Sequence, residues 1–181
     1  MGNHSHLAIL KQGVPAWNRW RAENPSICPD LADADLSKTN FRHVNFAKTN
    51  LRSANLRKAR LRESDFTEAD LSQANLQWAV LSKSNFTGAT LRNADLNRSS
   101  FRWADATGAD FTGANLKYAS FVGTNLDDAL LSRCSIFGIS VWNLKGVPKE
   151  QRELVITHDE ESVVTVDDLE VAQFIYLFKS R

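Results

Sequence analysis

A five-residue period governs most of this chain. Every fifth residue from Leu31 to Ile136 is apolar, and twenty of these 22 centres are Leu or Phe. Two residues before the centres from Leu36 onward the side chain is small in 20 of 21 cases, Val44 being the exception. Immediately before a centre stands Asp or Asn in 15 of 22 cases. The segment is a tandem array of A-(D/N)-L-x-x units, and a repeat of this kind decides the architecture before any local propensity does.

The period rules out ordinary elements. A helix repeats its apolar face every 3.6 residues and a strand every 2, so neither would bury these centres on one side. A chain that turns a corner after each unit buries all of them. Four units then make a square coil of about 20 residues, and successive coils pair as parallel strands roughly 4.8 Å apart. The 22 units predict about 5.5 coils and an all-β solenoid rod of roughly 25 Å. A square interior cannot hold two large side chains per edge, which explains the small residue two before each centre. The remaining positions face water.

These units resemble the pentapeptide-repeat family across residues 31 to 136. The resemblance implies a right-handed quadrilateral β-helix of bacterial type that works by binding. Ala106, Val44 and the units Ala59-Arg60-Leu61 and Ala79-Val80-Leu81 depart from the pattern. Some members of the family imitate duplex DNA and modulate type II topoisomerases such as gyrase. That role needs an acidic rod, whereas residues 31 to 136 hold 14 Lys/Arg and 11 Asp/Glu. The segments Gly138-Ile139-Ser140-Val141-Trp142 and Thr165 to Leu177 resemble the module that ends such arrays in bacterial proteins with a further TIR-like domain. This resemblance implies an alternative role as the sensor or assembly arm of a larger bacterial effector. The chain reads either as the array alone or as a piece of a longer protein.

Around the array, residues 1–30 are expected to form an N-terminal helical cap over the exposed first edge of the β-helix, since an uncovered edge invites aggregation. Helical stretches are expected at Leu7–Gln12 and Ala16–Glu23, with Trp17 and Trp20 on one face. Residues 31–141 form the array, 142–164 a polar connection, and 165–181 a C-terminal helix. In that helix Thr165 reads as N-cap with Asp168 in the capping-box place. Leu169, Ala172, Ile175 and Tyr176 lie on one side, and Phe174 and Phe178 widen the apolar surface. A helix apolar over so much of its girth covers the last coil or joins a partner, and a homodimer through it is one expected assembly.

The 20-residue register also sorts the surface. Lys38, Lys58, Trp78, Arg98 and Tyr118 should form an outward ladder on one face, with Trp103 beside it. Eight basic residues and no acid occur between Leu36 and Arg62: Lys38, Arg42, Lys48, Arg52, Arg57, Lys58, Arg60 and Arg62. They predict a basic belt around the second coil and the start of the third. No groove-reading helix or nucleic-acid motif accompanies it, which argues against nucleic acid as partner.

Nothing in the sequence assembles an active site. His4, His6, His43 and His158 are scattered, there is no phosphate-binding glycine loop and no nucleophile elbow, and no cofactor or metal is expected. No apolar run approaches a membrane span. Cys28 and Cys134 lie too far apart along the array to bridge, which suits the cytoplasm. The expected function is that of a non-enzymatic protein-binding scaffold using a rigid β-helix face.

Overall fold

The computed structural model describes residues 2–157 and 162–179; His158 lies outside them. Nineteen of the 22 units bend at a turn closed from the centre's carbonyl to the N–H three residues on, as in Leu31 O to Ala34 N–H at 3.2 Å. Every residue two after a centre has a positive φ, and 17 of those 22 are not glycine. The Asp or Asn before the centre explains how this left-handed corner is held. Its side-chain oxygen accepts the N–H two residues on, for example Ala32 to Asp30 at 3.1 Å and Ser72 to Asp70 at 2.9 Å. The side chain thus completes a local turn of the kind Asp and Asn favour. At Asp35, hydrogen bonds from the Ser37 side chain and N–H hold the carboxyl below its ordinary range.

Twenty-two parallel bridges join residues 20 apart, from Asp30↔Asn50 to Ser135↔Val155. The coil is therefore four five-residue edges, as the period requires. The backbone register runs beyond the expected end at residue 141: Leu131, Arg133 and Ile136 donate to the carbonyls of Glu150, Arg152 and Val155 at 2.8–2.9 Å. The sequence pattern stops earlier because Gly146 and Gln151 occupy centre positions. Their place in the interior is taken by buried Leu154 and Ile156, with Leu144 partly buried against them. Backbone pairing does not need a Leu at each centre; a solid interior does.

All 22 centres are buried, Phe41 being the most exposed at 8%. Rings stack through the interior. Phe46 lies 5.6 Å from Phe66, and Phe66 lies 4.7 Å from Phe86 with planes 3° apart. At Ala106 that column has no ring to continue with, and the stack moves to the neighbouring edge. Phe101 lies 5.0 Å from Phe86 and 4.8 Å from Phe121. The small position is equally specific when polar: Ser64, Ser84 and Thr124 donate to the carbonyls of Phe41, Leu61 and Phe101. Ser99 is buried and its hydroxyl has no partner. Ser99→Ala should therefore raise stability by about 1 kcal/mol, read as a higher urea midpoint, because it removes an unsatisfied hydroxyl and restores the array's commonest residue.

Two helices precede the array, α1 (His4–Lys11) and α2 (Val14–Glu23). Asn3 caps α1 through Ser5 N–H at 2.9 Å, so the helix starts three residues earlier than Leu7. The first coil has no earlier coil to pair with, and side chains stand in for it. Trp17 Nε1 donates to Asn45 O at 2.7 Å, Asn18 bonds both His43 O and Asn45 N–H, and Arg21 donates to Ala47 O at 2.8 Å. Burial lowers the pKa of that Arg21. His6 Nδ1 accepts Asp30 N–H at 3.0 Å.

The last coil is closed in the same manner. A two-residue antiparallel ladder pairs β1 (Leu154–Val155) with β2 (Thr165–Val166), and α3 (Leu169–Lys179) follows. Thr165 is thus in a strand and does not cap the helix. Asp168 does, accepting Glu170 and Val171 N–H at 2.9 Å each. Gln173, 7% exposed, accepts Val141 N–H at 2.6 Å, and Asp167 accepts Glu153 N–H at 2.8 Å. Leu169 and Ala172 are buried against the coil, and Ile175 packs partly against it.

Candidate functional site

The corner residues of one column form a continuous outward stack. The Arg98 guanidinium lies 4.8 Å from the Trp78 ring centre and 4.8 Å from the Tyr118 ring centre. Each such contact contributes about 0.5–1 kcal/mol at a surface. The backbones beneath are rigid: Lys38, Lys58, Trp78, Arg98 and Tyr118 all have φ of 57–62°, and the N–H groups of Trp78, Arg98 and Tyr118 bond the next coil at 2.9–3.0 Å. Tyr118 lies over Gly138, where an added Cβ would meet ring carbon Cδ1 at 2.5 Å. Its ring then meets Phe137 edge-on at 5.6 Å, and Phe137 meets Tyr176 of α3 at 5.1 Å.

The next corner carries Trp103, 48% exposed. Its ring rests on Gly123, where a Cβ would meet Cε3 at 2.3 Å, and Lys145 Nζ lies 6.0 Å from the ring centre. Between the two corners runs the bridge ladder Asn40–Arg60–Val80–Ser100–Ser120–Ser140. Ladder and neighbouring corner are therefore the two borders of one face.

The basic belt does not form a ring. Of its eight residues, Lys38, Arg42, Arg57, Lys58, Arg60 and Arg62 fall on this same face, while Lys48 and Arg52 turn the following corners and pair with Glu68 and Asp70. A run of 27 residues winds more than once around a 20-residue coil, so sequence proximity spreads over all four sides and only the register sorts it. Lys83, Arg98, Arg102 and Lys117 extend the face, giving it ten of the array's 14 Lys/Arg. Glu63 is its single acid of the array's 11. The four cations elsewhere, Lys48, Arg52, Arg92 and Arg133, each have a carboxylate within 3.6 Å. On the face Arg62 has Glu63 at 3.0 Å, whereas Arg42, Arg57, Lys58, Arg60, Lys83 and Arg102 have no carboxylate partner among the described residues.

Val80, 40% exposed at the centre of the face, and Lys83 and Arg102 at its far corner were not singled out by sequence reasoning. Extending the 20-residue register to all outward columns would have found them. Among the described residues no group of three His, Cys, Asp or Glu is placed to hold a metal ion, and no helix is long and apolar enough to cross a membrane. Trp17 is fully buried.

Comparison with known proteins agrees with the geometry. The profile described as pentapeptide repeats matches residues 30–67, 59–98 and 94–133, with eight copies. Similar solved structures include Rfr23, a pentapeptide-repeat protein of the cyanobacterium Cyanothece 51142, at 21% identity over 72% of this chain and 93% of that one, with a TM-score of 0.45. Another is alr5209 of Nostoc, also a pentapeptide-repeat protein, at 31% identity over 64% and 79%, with a TM-score of 0.28. QnrB1, a plasmid-mediated fluoroquinolone resistance protein, matches at 20% identity over 62% of this chain and 60% of its own length, with a TM-score of 0.47. Among curated proteins none matches. The chain belongs to the pentapeptide-repeat family, whose fold is the right-handed quadrilateral β-helix.

Proposed function

We propose that this protein is a non-enzymatic, cytoplasmic scaffold that binds another protein through the face bearing Lys58, Trp78, Arg98, Tyr118 and Trp103. The Trp78–Arg98–Tyr118 stack carries this reading. It presents aromatic and Arg side chains, the usual anchors of interfaces, on a backbone that loses little freedom on binding. The interior is filled with side chains, which leaves the outside for work. A cytoplasmic site suits two free cysteines, one of them Cys134, whose thiol burial pushes up to about 12.

The double variant Trp78→Ala/Tyr118→Ala should keep its circular dichroism and lose partner capture from the native cell. Hot-spot truncations cost about 2 kcal/mol or more, roughly 30-fold in affinity. Undiminished capture would remove this face from consideration. Imitation of DNA toward gyrase has the opposite electrostatic requirement, and ten cations gathered on one side count against it.

A second reading concerns α3, as an assembly arm. Val171, Phe174, Leu177 and Phe178 are 44–72% exposed, and Phe174 and Leu177 border a groove of about 230 Å³ with Trp142. A second copy of the chain is the occupant we favour. Light scattering should report a dimer for the native chain and a monomer for Phe174→Glu/Phe178→Glu; a monomer in both cases would contradict the dimer.

A further inference from the structure

We infer that the partner of this face is a protein whose own contact patch has an apolar centre rimmed by Asp and Glu. The inference rests on the binding reading above and adds the partner's chemistry.

Charge is segregated to this side. The whole chain has a formal net charge of only +1, yet ten Lys/Arg and one Glu share this side of the array. The array uses carboxylates freely elsewhere and gives each of the four other cations one. On this face six cations have no such carboxylate among the described residues, and the columns set cations above one another: Arg42 precedes Arg62, which keeps Glu63 at 3.0 Å, and Lys38 precedes Lys58. Rungs about 4.8 Å apart keep such neighbours within repulsive range, because the Debye length is about 8 Å at physiological salt. An acidic surface relieves that repulsion and is drawn in from solution by the same field.

Polarity is arranged to the same effect. Trp78, Val80 and Trp103 are 40–48% exposed and cross the middle of the array, Trp78 on one border of the face, Val80 between the borders and Trp103 on the other. Arg57, Lys58, Arg60 and Arg62 flank them on the N-terminal side, and Lys83 and Arg102 at the far corner. Apolar side chains flanked by charge are the anatomy of a protein interface.

The aromatic faces are already engaged. Arg98 lies over both Trp78 and Tyr118, and Trp103 rests on Gly123 with Lys145 beside it. Nucleic-acid platforms work by offering ring faces for bases to stack on. Here Arg98 and the glycines beneath Tyr118 and Trp103 occupy ring surface that bases would need. The supporting surface is also a regular ladder of parallel bridges.

A random peptide library displayed on phage and selected against the full native chain tests the inference. Peptides should emerge with Asp and Glu flanking an aromatic or aliphatic pair. Synthesised singly, they should lose binding about tenfold to Arg42→Glu/Arg60→Glu and be abolished by Trp78→Ala, both substitutions being at exposed positions. Raising salt should weaken them as well. Peptides that need Trp78, lack acids and ignore the charge reversal would overturn the inference while leaving the face as the binding site. Peptides indifferent to all three substitutions would overturn both. Oligodeoxythymidylate binding more tightly than the best peptide, and lost on the charge reversal, would overturn it in favour of nucleic acid.

Discussion

Phe101→Ala is expected to cost about 3–5 kcal/mol, the range for a fully buried phenylalanine whose cavity cannot collapse. The site should be at the upper end for a structural reason. Phe101 touches Phe86 at 5.0 Å, Phe121 at 4.8 Å and Phe111 at 5.8 Å, and it connects the two ring stacks where Ala106 interrupts the first. Backbone bridges to Val80↔Ser100 and Ala106's neighbours hold the walls apart, so relaxation into the space is limited. Domains are stable by about 5–15 kcal/mol, and this loss takes a large share of it. Urea denaturation should show a midpoint far below that of the native chain. Adding Ala106→Phe to the variant should recover part of the loss, because the Phe46–Phe66–Phe86 column then continues along its own edge. A drop below about 1 kcal/mol, or no coupling between the two sites, would show that the rings do not form one stack.

Trp17→Ala should lose a comparable amount, about 3–5 kcal/mol, and should also change behaviour in solution. The side chain is fully buried, meets Trp20 at 5.3 Å and Phe46 at 5.8 Å, and donates its indole N–H to Asn45 O at 2.7 Å. Removing it uncovers apolar surface and leaves an unpaired carbonyl on the first coil. Exposed strand edges recruit other chains. The expected result is a lower melting temperature with concentration-dependent light scattering, whereas partly buried Trp20, replaced by Ala, should melt lower without associating. Equal and monodisperse behaviour of the two variants would mean that α2 does not protect the edge.

The coiled array was legible because its signal is periodic. Leu or Phe at every fifth residue with a small residue two before it admits one packing solution, and the buried centres follow it from Leu31 to Ile136. Helices over the ends were expected from the sequence, but the bonds that close those ends were not legible. Asn18, Arg21 and Gln173 act by single side-chain bonds to coil backbone, and nothing in their spacing distinguishes them from ordinary polar residues of a helix. The start of α3 was misplaced because Thr165 and Asp168 are both good caps. The β-branched run Val163-Val164-Thr165-Val166 favours a strand, and its pairing with Leu154–Val155 decided between them. In the candidate site, the ladder was readable from one column of the register. The face was not, because the basic run from Lys38 to Arg62 mixes six residues of one side with two of others.

The 20-residue offset between coils underlies the whole face, and cysteine trapping tests it most directly. In a background with exposed Cys28 replaced by Ser, Val80→Cys/Ser100→Cys places two thiols on adjacent bridged positions, within the Cα separation of about 4.4–6.8 Å that a disulfide requires. The pair Val80→Cys/Asp105→Cys places them one edge out of register. The first pair should oxidise rapidly to an intramolecular disulfide and the second should stay reduced. Equal trapping of both, or preference for the second, would contradict the offset and dissolve the face built on it.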